Sequence, residues 1–371
     1  MSTGLVHDYL LVMRGAERTF AAMADCWPSS DVYTLLYDPH GTQYKFARHN
    51  VTASYLQYLG LRQSNFRRAL PLFPRAAESL PVQDHDVVVS SSSAFAHGIR
   101  VAPGAAHVCY CHSPFRYVWH ERERGLSELP KAVRPVLTRA FDRVRDWDRR
   151  AAASVTRYIA NSEVTRSRIR EFYGRDCALI HPPVDVDRFE LGEPEDYALV
   201  VTEIVRHKRV DLTLEAARRA GQRVKVVGTG PELADLRERF ADTAEFLGRV
   251  PDGQLDRLYA NARMFIMSNV EEFGIAAVEA QAAGRPVIAA GAGGALETVV
   301  DGQTGVLVAP GDVEALAEAI RYTDFDSFSP AATRMNARRF SAEAFKQRLR
   351  DEVAKAAGTF SAHETPVAVA A

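Results

Sequence analysis

Apolar positions along the chain switch between two periods. Short β-branched runs recur at "LVHDYL" (5–10), "DVVVSSS" (86–92), "HVCYCH" (107–112), "RYIANS" (157–162), "YALVVTE" (197–203), "RVKVVGTG" (223–230), "MFIMSN" (264–269) and "PVIAAG" (286–291). Between them lie stretches with helical spacing, such as "AERTFAAMADCW", "DLTLEAARRAG", "PELADLRERFA" and "VEALAEAIRYT". Continuous apolar strands alternating with amphipathic helices predict parallel sheets covered on both faces. Gly221 stands where a helix C-cap is expected, and Pro231 where a helix is expected to open. The pattern restarts after "IHPPVDVDRF", where Pro182 and Pro183 break regular structure. Two doubly wound α/β domains are predicted, 1–183 and 184–339, facing across a cleft. An amphipathic helix over 340–357 is expected to pack back toward the N-terminal domain, and 358–371 is expected to be a disordered tail. A ligand of such sheets belongs beyond the carboxyl ends of the strands.

Length agrees with two domains, since 371 residues exceed one ordinary hydrophobic core. Four cysteines with no CxxC spacing argue against a disulfide framework and fit a reducing, cytoplasmic setting. Cys109, Cys111 and His112 could suggest a metal, but alternation along a strand explains the same spacing. The DxD-like pairs Asp146/Asp148, Asp185/Asp187 and Asp324/Asp326 read as acids on helix surfaces or loops. No run approaches the roughly 20 apolar residues that span a bilayer.

The net charge of −1 conceals an asymmetry: residues 1–183 carry 24 Lys+Arg against 17 Asp+Glu, the remainder 22 against 30. No acid occurs between Asp38 and Glu78. That interval interleaves Lys45, Arg48, Arg62, Arg67, Arg68 and Arg75 with aromatic and aliphatic residues. Such a segment either docks on an anionic membrane face or forms a packed helical pair with a basic outer side.

Three motifs carry chemistry. Gly228-Thr229-Gly230-Pro231 follows a strand and allows close backbone approach, but it lacks the third glycine of a dinucleotide fingerprint. Arg206, Lys208 and Arg209 gather cations just beyond the strand "ALVVTE", a setting suited to a diphosphate. In "NVEEFGIAAVEAQAAG", Glu271 falls in the loop before a helix and Glu279 about one and a half turns inside it. Gly274 to Glu279 spans roughly 7–8 Å along the axis, comparable to a sugar diphosphate. Glu272 reads as an acid favoured by the helix dipole. Glu279, in an alanine-rich helix, needs a partner.

With these residues in view, the chain resembles the retaining family 4 glycosyltransferases of GT-B fold over nearly its whole length. Glu271 and Glu279 match the family's glutamate pair, Lys208 its diphosphate-binding lysine, and "VGTGPELADL" its donor-domain turn. "HDYLLVMRGAER" matches the glycine loop, and His112 of "YCHSPFRYVW" matches the histidine that approaches the donor sugar. "HPPVDVDRF", "HKRVD" and "FGIAAVEAQAAGRPVI" are most similar to the GDP-mannose-dependent branch of O-antigen and exopolysaccharide assembly. The resemblance implies catalytic roles for Glu271, His112 and Lys208. It implies donor contacts from Gly15, Arg206, Lys208, Gly228, Gly230, Phe273, Gly274, Ile275 and Glu279. It also implies a nucleotide-sugar donor, GDP-mannose by preference, and a lipid-linked saccharide or glycan acceptor. No metal, no nucleic acid, and peripheral contact with the inner membrane through residues 45–75 complete the expectation. The chain departs from the pattern at Glu203, whose charge would repel a diphosphate, at the lone glycine Gly15, at Ala277 and at His120. Two alternatives stand beside a transferase: an NDP-sugar 2-epimerase of the same shape, and a non-catalytic nucleotide-sugar-binding partner.

Overall fold

The computed structural model describes residues 2–127, 131 and 133–363. The chain divides into two units, one formed by residues up to Ile180 together with the chain from Lys346, the other by His181–Phe345. The first unit holds β1 (Thr3–His7), α1 (Gly15–Ala24), β2 (Asp31–Thr34), β3 (Val51–Ala53), α2 (Phe73–Glu78), β4 (Val87–Ser92) and β5 (Ala106–Cys111). It continues with α3 (Arg122–Ser127), α4 (Arg134–Ser154), β6 (Arg157–Ala160), α5 (Glu163–Tyr173) and β7 (Cys177–Leu179). All pairings in this sheet are parallel, in the order β3-β2-β1-β4-β5-β6-β7. Every residue of β4 and β5 is buried, as a strand covered on both faces requires.

The second unit holds β8 (Ala198–Val201), α6 (Val210–Ala220), β9 (Val224–Val227), α7 (Leu233–Arg239), β10 (Ala244–Gly248), α8 (Asp252–Asn261) and β11 (Met264–Met267). It continues with α9 (Ile275–Ala282), β12 (Val287–Ala290), α10 (Ala295–Thr298), β13 (Gly305–Val308), α11 (Val313–Tyr322) and α12 (Pro330–Arg338). Its parallel sheet runs β10-β9-β8-β11-β12-β13, the strand order of a dinucleotide-type fold. Each sheet therefore reverses direction once, between β1 and β4 in the first unit and between β8 and β11 in the second.

The last helix, α13 (Ala342–His363), buries Phe345, Leu349, Val353 and Ala356 along one face. Glu352 on the same helix bonds Arg157 Nε of the first unit at 2.5 Å. The helix runs on to His363, into the stretch expected to be disordered, because the expectation rested on composition alone; 364–371 lie outside the described residues. Two other expectations need correction. The helix expected to open at Pro231 begins at Leu233, after a turn. Asp148, expected on a helix surface, is fully buried. It accepts from Trp119 Nε1 at 2.7 Å and Tyr173 Oη at 2.8 Å, and lies 3.3 Å from His97 Nε2. Burial pushes its carboxyl above the usual range, with His97 and the two donors opposing.

Candidate functional site

Strands that reverse order leave a crevice at their carboxyl ends, where two neighbouring loops part in opposite directions. In the second unit these loops follow β8 and β11. The first makes a short turn over Arg206–Lys208 and ends at Arg209, held in the left-handed region (φ 50°, ψ 39°) as the N-cap of α6. A non-glycine residue there costs on the order of 1–2 kcal/mol, and the structure pins it. Ser268, just past β11, donates to the Arg209 carbonyl at 3.1 Å and accepts from Thr213 Oγ1 at 2.6 Å. The turn delivers Lys208 Nζ onto Glu271 Oε1 from the second loop. Asn269 Nδ2 donates to the same carboxylate oxygen at 2.8 Å. Lysine and glutamate, 63 residues apart in sequence, thus meet at the switch point. Arg206 is exposed, and Glu203 is exposed as well, so water screens its repulsion to about 1 kcal/mol at 4 Å.

Gly274 adopts φ 89° as the residue before α9, so Phe273 and Ile275 bracket a backbone reversal. Phe273 is buried, its ring 5.4 Å from His181 and 5.3 Å from Phe340. His181 in turn bonds Glu297 at 2.7 Å. Ile275 packs against the core at the start of α9. Glu279 has the partner its setting demands: Tyr259 Oη donates to Oε2 at 2.9 Å from α8. Burial pushes the Tyr259 phenol well up, and the Glu279 charge adds to it.

The glycines have a packing reason. A Cβ on Gly228 would lie 1.8 Å from the Thr202 carbonyl oxygen, and one on Gly230 2.1 Å from that of Ile204. The GTG turn therefore lets the loop toward Lys208 lie flat against it. Likewise a Cβ on Gly294 would lie 2.3 Å from Phe273 Cα, so the "GAGG" segment seats the loop that carries Glu271.

The first unit places His112 immediately after β5. Its amide donates to Ser92 O at 2.8 Å, and its carbonyl accepts from Thr165 Oγ1 at 3.1 Å. Its Nε2 bonds Ser91 Oγ at 2.8 Å, and Ser91 Oγ bonds His7 Nδ1 at 3.0 Å. Desolvation pushes the His112 pKa down to about 3, with nearby His7 adding to the effect. Gly15 opens α1, where Glu17 Oε2 accepts from the Arg14 amide at 3.0 Å. Asp8, one residue past β1, accepts from the successive amides of Ser93, Ala94, Phe95 and Ala96 at 2.5–3.0 Å. That cradle fixes the loop after β4.

The basic segment forms short 3₁₀ turns, Tyr55–Leu59 and Phe66–Leu72, followed by α2. It is two-sided: Leu56 and Phe73 are buried, while Tyr58 is 89% and Leu59 55% exposed. A hollow of about 840 Å³ beside it is lined by Tyr37, Asp38, Gln57, Leu61 and Arg62 among others. Among the described residues no helix is long and apolar enough to cross a membrane, and no group of three or more metal-ligating side chains gathers.

Sequence reasoning missed Asn269, Ser268, Ser91, His7 and the hydrogen bond of Tyr259 to Glu279. Its one available signal was the serine run 90–93, four hydroxyls following a strand of valines. Hydroxyls there need partners.

Residues 184–340 match the family described as glycosyl transferases group 1, and residues 13–188 match glycosyltransferase family 4. A GDP-mannose-dependent alpha-(1-6)-phosphatidylinositol monomannoside mannosyltransferase of Mycolicibacterium smegmatis is 33% identical over 235 residues, 54% of this chain and 58% of that protein. A D-inositol 3-phosphate glycosyltransferase of Catenulispora acidiphila is 35% identical over 195 residues, 42% of this chain and 45% of the relative. The chain thus spans about half the length of the curated relatives it matches. Anabaena HepE, solved with UDP, superposes with a TM-score of 0.71 at 18% identity, over 96% of this chain and 100% of that one. Sucrose-phosphate synthase of Thermosynechococcus elongatus superposes at 0.69, also at 18% identity, over 98% and 100%. At that identity the likeness is one of fold.

Proposed function

Because the chain belongs to the group 1, family 4 glycosyltransferases and has their two-sheet GT-B fold, we propose that it transfers a hexose from a nucleotide-sugar. The donor is GDP-mannose and the acceptor a lipid-linked saccharide or another glycan in cell-surface polysaccharide assembly. The named relative that depends on GDP-mannose supports that donor.

The observation that carries the reading is the meeting of Lys208, Glu271 and Asn269 at the second unit's switch point. A diphosphate there takes Lys208 as its cation, with Arg206 and the amides after Gly274 as further donors. Glu271, released from Lys208, accepts from hydroxyls of the sugar. Glu279, oriented by Tyr259, accepts from the ribose, and His112 contacts the sugar from the first unit. The bond from the anomeric carbon to the diphosphate oxygen breaks while the acceptor oxygen bonds that carbon on the same face. The acceptor's proton leaves with the departing diphosphate, so the configuration is retained. Fixed donors oppose the charge growing on that leaving group, a contribution worth about 10²–10³ in rate per group. The donor set is two cations, Lys208 and Arg206, with neutral backbone amides, which suits a diphosphate without a divalent ion. The exposed Tyr58 and Leu59, set among basic residues, suit peripheral docking on an anionic inner-membrane face.

Glu271→Ala and Lys208→Ala are each expected to lower transfer of radiolabelled mannose to a lipid-linked acceptor by about 10²-fold or more, with unchanged circular dichroism. Full activity in either folded variant refutes the assignment.

A further inference from the structure

His112 stands at the end of a hydrogen-bonded row that crosses three neighbouring strands. The parallel register pairs His7 of β1 with Ser91 of β4, and Ser91 with Tyr110 of β5. Side chains two apart on a strand share a face, so the side chains of positions 7, 91 and 112 stand on one side of the sheet. The contacts follow from this: His7 Nδ1 to Ser91 Oγ at 3.0 Å, and Ser91 Oγ to His112 Nε2 at 2.8 Å. The far end of the row is a carboxylate, Glu17 Oε1, 4.0 Å from His7 Nε2. His7 is itself buried and stacked on Phe20, ring centroids 4.8 Å apart, so its ring orientation is fixed.

The proton order in such a row follows from counting. A serine hydroxyl has one proton to donate, and a neutral imidazole carries one proton on either of two nitrogens. A carboxylate near Nε2 of His7 favours the proton on that nitrogen, which leaves His7 Nδ1 bare. Bare Nδ1 takes the Ser91 proton. Ser91 Oγ, having donated, accepts from His112, whose proton must then lie on Nε2. We infer that Glu17, His7 and Ser91 are positioning residues that hold His112 as the Nε2–H tautomer, so that its Nδ1 meets the donor sugar as a hydrogen-bond acceptor. Desolvation keeps the ring neutral, as its lowered pKa of about 3 indicates. The group His112 recognises is therefore a hydroxyl that donates, and not a phosphate or carbonyl oxygen. This last step rests on the sugar-contacting role proposed above, whereas the tautomer does not.

The test is two-bond ¹⁵N–¹H correlation on the full-length protein labelled in histidine, with His112 assigned by the signal lost in His112→Gln. Eleven histidines make the assignment tractable. The expected spectrum shows His112 protonated on Nε2 with Nδ1 bare. Ser91→Ala, in a sample whose circular dichroism is unchanged, is expected to release His112 into a mixture of tautomers while His7 keeps its Nε2 proton. Glu17→Ala is expected to loosen both rings. A merely structural role for these residues would move stability but not the tautomer. Ser91→Ala should also lower kcat/KM by about tenfold, the worth of one hydrogen bond. A donor analogue with fluorine in place of the recognised hydroxyl should be transferred equally by wild type and Ser91→Ala. His112 protonated on Nδ1, or a tautomer indifferent to Ser91→Ala, overturns the inference. Unimpaired transfer by His112→Ala, when the wild type shows the expected Nε2–H spectrum, refutes the sugar-contacting role alone.

Discussion

The two units solve one backbone problem twice and put different chemistry in each answer. Both sheets reverse order after their first strand, and both reversals gather side chains at or just past the carboxyl ends of neighbouring strands. In the second unit those side chains carry opposite charges, Lys208 and Glu271, and both remain about a quarter exposed. In the first they are His7, Ser91 and nearby His112, two imidazoles joined through a hydroxyl, with His7 and Ser91 buried. Charge suits a half that meets a diphosphate, whose own charge replaces a partner lost on binding. A row of imidazole and hydroxyl groups suits a half that meets hydroxyl groups, because an unpaired charge buried there would be costly. The same topology thus fixes where a site lies but not what it binds, which the residues at the strand ends decide.

The comparison breaks most visibly in acid. His107 is fully buried beside Ser90, and burial pushes its pKa down to about 3, as it does that of His112. Both histidines take up protons in the unfolded chain below about pH 6.5 but in the folded unit only near pH 3. Their contribution to stability is therefore complete above pH 6.5 and is lost as pH falls from there toward 3, at up to about 1.4 kcal/mol per pH unit for each. All three tryptophans, Trp27, Trp119 and Trp147, lie in the first unit. Tryptophan fluorescence in a urea series at pH 7 and pH 5 is expected to show that unit weakened at the lower pH, and His107→Gln is expected to reduce the dependence.

Asp148 sharpens the contrast at neutral pH. Asp148→Ala leaves Trp119 Nε1 and Tyr173 Oη without their acceptor, at a cost of about 3 kcal/mol to the first unit. Tryptophan-detected unfolding should register it, while donor binding by the second unit is expected to persist. The smallest effect lies in the second unit. Tyr259→Phe removes one donor to Glu279, so donor KM should rise by about fivefold with kcat held. An analogue whose ribose lacks the bonded hydroxyl should show no such difference.

The centres of both sheets were legible because their strands are buried on both faces and read as unbroken apolar runs. The strands the pattern missed were β2, β3, β7, β10 and β13. Four of these are sheet edges and β2 adjoins one. Edge strands of three to five residues mix buried and half-exposed positions, as in Cys177–Leu179, and carry no clear period. The positions of Lys208 and Glu271 just beyond strands, and of Glu279 inside the following helix, were legible because an apolar strand precedes each segment. Ser91 and His7 were not, since their partners are set by sheet register, which no local spacing records, and Asn269 was missed although its partner Glu271 lies only two residues on. Asp148 was readable in principle: it lies four residues after Val144 and four before Ala152, both buried on α4. Its charge argued for the surface, and two hydrogen bonds outweighed that.

The central claim is that the switch point of the second unit holds a nucleoside diphosphate-sugar through Lys208. Calorimetric titration of the full chain with GDP-mannose tests it directly. Wild type is expected to bind, and Lys208→Ala to bind at least about tenfold more weakly, the loss of one charge-assisted contact. Equal affinity in the two proteins, with both folded, would contradict the claim.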